Sequence, residues 1–159
     1  MSGENFAIYT LPCGRMKITY NDCAIVGICR CEEPDTGVPS ELSDRAYAQL
    51  CEYFDGKRKD FDLPISARGT VFQERVWQAL TKIPYGKTVS YKQLAESIGN
   101  ERACRAVGGA NNKNPISIVI PCHRVIGAGG ELVGYGGGLD MKKMLLQIEK
   151  DGLSNADLS

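Results

Sequence analysis

The chain holds a single histidine, and it follows a cysteine directly in the run Ile118-Val119-Ile120-Pro121-Cys122-His123-Arg124-Val125. An imidazole that takes a thiol's proton raises the fraction of thiolate, which is the nucleophilic form. Neighbours in an extended chain point to opposite sides, so a turn or a bridging water must connect the two groups. Something must also orient the imidazole, and the carboxylate best placed is Glu149. It borders the apolar stripe Met141, Met144, Leu145 and Ile148 of a helix expected over 141–150. A solvated helix-end charge remains the commoner fate of any one glutamate.

These groups need elements to hold them. The β-branched run Ile118-Val119-Ile120 reads as a short buried strand that Pro121 ends, so Cys122 emerges where the strand leaves the core. After the thiol come Gly127-Ala128-Gly129-Gly130 and Gly134-Tyr135-Gly136-Gly137-Gly138, a glycine-dense loop with one aromatic, suited to wall in a flat ligand. Neither GxGxxG nor GxxxxGK[ST] occurs, so no nucleotide cofactor is expected.

Upstream, Thr70 with Gln73 and Ser90 with Gln93 form capping-box patterns that open two helices. The first carries Phe72, Val76, Ala79, Leu80 and Ile83 on one face and stops at Pro84-Tyr85-Gly86. The second runs to Ile98, Gly99-Asn100 breaks the chain, and a third helix is expected from Glu101 to Asn111. Two short helices around a glycine turn outline a helix-turn-helix unit. On the third helix Arg102, Arg105, Ala106, Gly109 and Ala110 share a face, joining two guanidinium groups to residues of almost no side chain. A helical hairpin that only packs a core explains the small residues but not the arginines. A helix pressed into a nucleic-acid groove explains both.

The first half differs. Residues 15–20 and 24–31 read as strands joined at Asn21-Asp22, and residues 41–54 as a helix followed by a charged connector reaching Gly69. The expected division is 1–69, 70–152 and a flexible tail over 153–159. Residues 1–69 carry 8 Lys+Arg against 11 Asp+Glu, net −3, and residues 70–150 carry 11 against 6, net +5. The second half is the one a polyanion would prefer. The seven cysteines lack the spacing of a disulfide framework, contain no CxxC pair, and fit reduced thiols; no metal site is expected. No apolar run approaches membrane-spanning length, and no basic start precedes an apolar leader, so an intracellular chain without membrane association is expected.

The combination of IPCHRV with SYKQLAESIGNERACRAVGGANNKNP before it and GYGGGLDMKKMLLQIEK after it closely resembles the O6-alkylguanine-DNA alkyltransferases. The likeness runs without gaps from about Phe72 to Glu149. It is looser in the first half, where the short strands and YFDGKRKDFDLPI carry it. The resemblance implies an α/β (α+β) protein: a small ribonuclease-H-like N-terminal domain followed by a C-terminal winged-helix DNA-binding domain. It implies a monomer that acts on double-stranded DNA containing O6-alkylguanine, and O4-alkylthymine as well, without a cofactor. The compartment would be the bacterial cytoplasm or the eukaryotic nucleus.

Carried over residue by residue, Cys122 resembles the alkyl acceptor, His123 the base acting through a water, and Glu149 the carboxylate that orients it. Asn114 is similar to the asparagine that links the thiol loop to the recognition helix. Tyr91 is similar to the tyrosine that donates to N3 of the departing guanine, and Arg105 to the arginine that fills the stack once the nucleotide has rotated out. Arg102, Ala106, Gly109, Ala110, Tyr91 and Arg124 complete the implied DNA-binding set. The backbone around Cys122 and Val125, the wall of Tyr135 and the amide of Gly136 would hold the base. Some members carry serine at the position of Gly136 and proline at that of Ser117, which bears on tolerance of bulky alkyl groups. Zinc ligands of certain members include histidines missing here.

Two other functions share these residues. A Cys-His hydrolase would turn over through an acyl-enzyme, and a helix-turn-helix regulator would keep Cys122 as a structural thiol and bind DNA without it.

Overall fold

The structure, a computed structural model, describes residues 4–132, Tyr135 and 138–157. It comprises two compact units. The first runs to Arg68 and includes Pro115–Ser117; the second holds Gly69–Asn114 and the chain from Ile118 onward.

In the first unit β1 (Asn5–Leu11), β2 (Gly14–Tyr20) and β3 (Ile25–Arg30) form an antiparallel sheet in the order β1-β2-β3. Alternation decides its faces. Ala7, Met16, Ile18 and Ile28 are fully buried on one side. The helix α1 (Glu41–Phe54) contributes Ala46, Leu50 and Tyr53, also fully buried. Ser40 and Ser43 cap that helix reciprocally. Asn21 makes the β2–β3 turn, its Oδ1 accepting from the amides of Cys23 and Ala24 at 2.8 Å each. β1 escaped the sequence reading, although Ala7, Tyr9 and Leu11 alternate in it. Pro115 O accepts from Ile28 N at 2.9 Å, and Ser117 N donates to Ile28 O at 3.0 Å.

The second unit contains α2 (Val71–Leu80), α3 (Tyr91–Ser97), α4 (Cys104–Asn112) and α5 (Leu139–Asp157). A two-residue parallel ladder joins β4 (Val89–Ser90) to β5 (Val125–Ile126). Both expected capping boxes form, Thr70 with Gln73 and Ser90 with Gln93. Gly99, at φ 78°, makes the turn that leads from α3 to α4. Trp77 Nε1 donates to Ala110 O at 2.8 Å and ties α2 to α4.

Three elements differ from the sequence reading. The third helix begins at Cys104, not Glu101, with Ala103 at its N-cap and no side-chain cap, so Arg102 lies in the preceding turn. Ile118 and Ile120 are buried and Val119 half-buried, but the run is not a strand: Ile118 adopts φ 74° and the chain turns there. An apolar run without polar alternation is equally compatible with a packed turn. Lastly, α5 continues to Asp157 through Gly152. The phenol of Tyr85 occupies the space a Cβ at Gly152 would need, so this glycine serves packing and does not end the helix. Among the described residues no helix is long and apolar enough to cross a membrane.

Candidate active site

Cys122, His123 and Arg124 form a single 3-10 turn, and all three are buried. The turn does not pair the thiol with the imidazole, since three residues per turn point adjacent side chains apart. The imidazole turns away from the thiol: His123 Nε2 bonds Glu149 Oε2 at 2.5 Å, and Nδ1 has no partner among the described residues. With Nε2 donating to the carboxylate, Nδ1 carries the free lone pair and is the basic atom.

Glu149 is 1% exposed and is the hub. Besides His123 it accepts from Arg124 Nε at 2.8 Å, from Arg124 Nη2 at 3.0 Å and from Gly86 N at 3.0 Å. Burial pushes its carboxyl up, but the imidazole and the guanidinium outweigh burial and hold it at about 2. Burial pulls His123 below its ordinary value, against the pull of Glu149 in the other direction, so the resting imidazole is neutral. Arg124 also donates to Ile83 O at 2.6 Å, with its guanidinium over the ring of Tyr85.

Around the thiol, burial raises the pKa of Cys122. The Asn114 side chain, the charge of Lys142 and the Tyr135 hydroxyl each pull it back without cancelling the rise. The resting sulfur is therefore a protonated thiol that needs a base. Asn114 Nδ2 donates to Ile120 O at 2.8 Å, which fixes the loop below the thiol. Tyr91, the first residue of α3, packs over Gly108 and hydrogen-bonds Asn111. Burial and then the proximity of Cys122 raise the pKa of its phenol, so it keeps its proton.

Seven expected residues thus converge: Cys122, His123, Glu149, Asn114, Tyr91, Val125 and Tyr135. Gly136 lies outside the described residues. On and just before α4, Arg102, Arg105, Ala106 and Gly109 are exposed, as a groove-facing surface requires. Two expectations for DNA contact fail. Ala110 is 3% exposed and lies on the side of α4 that meets α2, where its carbonyl accepts from Trp77 Nε1. Arg124 spends its donors on Glu149 and Ile83 inside the unit, so it orients the carboxylate and does not meet phosphate.

The sequence reading missed two groups. Lys142 is fully buried, donates to Val125 O at 2.6 Å, and acts electrostatically on Cys122. Helical spacing carries the signal, since Lys142, Leu145 and Glu149 stand at i, i+3 and i+7. Asn111, 1% exposed, donates to Cys122 O at 3.4 Å; no pattern in the sequence marks it.

The chain matches a family model described as the DNA-binding domain of 6-O-methylguanine DNA methyltransferase over residues 71–151. A methylated-DNA–protein-cysteine methyltransferase of Methanosarcina acetivorans is 46% identical over 151 residues, covering 91% of this chain and 97% of the relative. One of Mycobacterium tuberculosis is 54% identical over 117 residues, covering 74% and 68%. The crystal structure of Mycobacterium tuberculosis OGT in complex with DNA superposes with a TM-score of 0.86 at 42% identity, covering 92% of this chain and 93% of that one.

Proposed function

We propose a division of labour among the site residues from the premise that this chain belongs to the methylated-DNA–protein-cysteine methyltransferases. It is a DNA-repair enzyme that moves the alkyl group of O6-alkylguanine in DNA onto its own cysteine. The acceptor is Cys122, and the observation that carries this assignment is a buried thiol in one turn with an imidazole whose far nitrogen is anchored to an ionised carboxylate.

Nδ1 of His123, acting through water, takes the thiol proton as Glu149 stabilises the imidazolium that forms. The buried ammonium of Lys142 and the amide of Asn114 favour the thiolate over the thiol. The sulfur attacks the alkyl carbon in line, the C–O bond breaks, and guanine leaves as its ring takes a proton from the Tyr91 phenol. The product thioether offers water neither a carbonyl nor a phosphorus, so each molecule reacts once.

No protein atom reaches that carbon inside the duplex stack, so the nucleotide rotates out. Exposed Arg105 on α4 fills the gap, exposed Arg102, in the turn before that helix, meets the nucleic-acid backbone, and Ala106 and Gly109 let the helix approach the groove. The same alkyl chemistry extends to O4-alkylthymine. The enzyme works in the compartment that holds the DNA, the cytoplasm in a cell without a nucleus.

The test is to react the protein with a duplex containing O6-methylguanine, digest it, and weigh the Cys122 peptide. One added CH₂ per molecule is expected, and none with undamaged DNA. Unmodified Cys122 after complete demethylation of the duplex would overturn the assignment. A Cys-His hydrolase is disfavoured because the imidazole does not bond the thiol directly.

A further inference from the structure

We propose that Cys29 and Cys31 form a two-coordinate thiolate site for a monovalent d10 metal ion, Cu(I) or Ag(I), on the outward face of the first unit's sheet. The placement follows from strand geometry. Residues two apart on a strand share a face. Ile28 points to the core, so Cys29 points out, opposite Lys17 in the β2–β3 register. Cys31 lies just past the end of β3, yet its amide donates to Arg15 O at 3.0 Å, so pairing continues and its side chain returns to the outward face. Both thiols are free, Cys29 exposed and Cys31 half-buried, and each lies within electrostatic reach of Lys17.

Spacing favours a bridged dithiol over a disulfide. Two residues of strand rise span about 6.6 Å between Cα atoms, at the far end of the roughly 4.4–6.8 Å that disulfides tolerate. An ion between the sulfurs relaxes that demand, because with metal–sulfur bonds comparable to the about 2.3 Å of zinc thiolates the sulfurs of a linear site lie about 4.6 Å apart. The side chains need only lean towards each other.

The ligand set selects the ion. Among the described residues no three His, Cys, Asp or Glu side chains converge, so the four donors that zinc requires are not at hand. Glu33, next on that side of the chain, has its carboxylate engaged by Lys17 at 2.9 Å. Two soft donors without a third suit a soft d10 ion. On binding, two S–H bonds break, two S–metal bonds form, and two protons pass to solvent with no change of oxidation state. The bis-thiolate complex carries one net negative charge. Lys17, also held over the Phe6 ring at 4.4 Å, places a cation beside the complex but shares it with Glu33, and the exposed position leaves the remaining charge to solvent.

The experiment titrates the reduced full-length protein with Cu(I) under anaerobic conditions against a chromogenic Cu(I) chelator. One ion per chain is expected, with two sulfur donors in its X-ray absorption spectrum. Cys29→Ser and Cys31→Ser should each weaken retention at least tenfold, and Cys23→Ser should leave it unchanged. A Cys29→Ser/Cys31→Ser double variant that holds Cu(I) as tightly as the parent overturns the proposal. Should a variant misfold, the parent alone decides. One equivalent of Ag(I) should block iodoacetamide labelling of Cys29 and Cys31 while exposed Cys23 still reacts, and labelling of all three sinks the site.

Discussion

The interiors of the two units are built differently. Around the sheet and α1 the buried residues are almost all apolar, with Ser43 and Gln49 as the polar members among the described residues. Gln49 bonds the backbone of Asp62 in both directions, at 3.0 and 2.9 Å, and its amide is thereby satisfied. The second unit buries Asn111, His123, Arg124, Lys142 and Glu149 together. A dry core gains stability from area removed from water, whereas a core of ions must repay their desolvation through geometry. That second arrangement makes sense where the ions do chemistry, because charges held away from water act strongly on a neighbouring thiol.

The contrast breaks most severely at Glu149. Glu149→Ala leaves the Arg124 guanidinium buried without its carboxylate, and such uncompensated charges cost about 3–5 kcal/mol. Chemical denaturation should report that loss, and the surviving folded protein should alkylate slowly as well. Leu50→Ala, in the dry core, should cost about 2–5 kcal/mol. Per folded molecule its alkylation rate should match the parent's, so stability and chemistry separate in one unit and fall together in the other.

Lys142→Met sharpens the comparison, because it exchanges a buried charge for a similar apolar volume. Stability should hold or rise slightly, while the alkylation rate at pH 7 falls and its pH profile moves to higher pH as the thiolate loses its cation. An unchanged profile would show that Lys142 only packs.

Acid should act on the second unit first. His123 titrates below its ordinary 6.5 when folded, so as pH falls past 6.5 the unfolded chain binds the proton more readily and stability declines. Glu149 works in a lower window: its contribution is complete above 4.5 and is lost as pH falls towards about 2. The smallest effect is expected at a surface cap. Thr70→Ala, which removes one half of the reciprocal cap on α2, should cost about 1 kcal/mol and leave alkylation untouched.

What could be read in advance divides along similar lines. The capping boxes of α2 and α3 were legible because their signal is local, two side chains answering two amides three residues apart. Cys122 and His123 were legible because the one histidine follows a cysteine where Pro121 ends an apolar run, and Glu149 because it borders the apolar stripe of the last helix. The reversal at Ile118 was not, since a β-branched residue at positive φ is held there by its surroundings and not by its own preference. The inward turn of Arg124 was equally hidden. Its partners, Ile83 and Glu149, lie 41 and 25 positions away, and nothing in an arginine's type says whether it will meet a phosphate or a carboxylate.

The membership of Pro115–Ser117 in the first unit carries a consequence for how the molecule is made. During synthesis the N-terminal chain emerges first, yet the backbone groups of Ile28 find their partners at Pro115 and Ser117, 87 and 89 positions further on, only after those residues have left the ribosome. Until then the edge of β3 around Ile28 stays open, although Pro64 and Ser66 already pair with Ile25. A fragment released at Arg68 should therefore be prone to pairing with foreign strands, and supplying the missing segment as a separate peptide should quiet it.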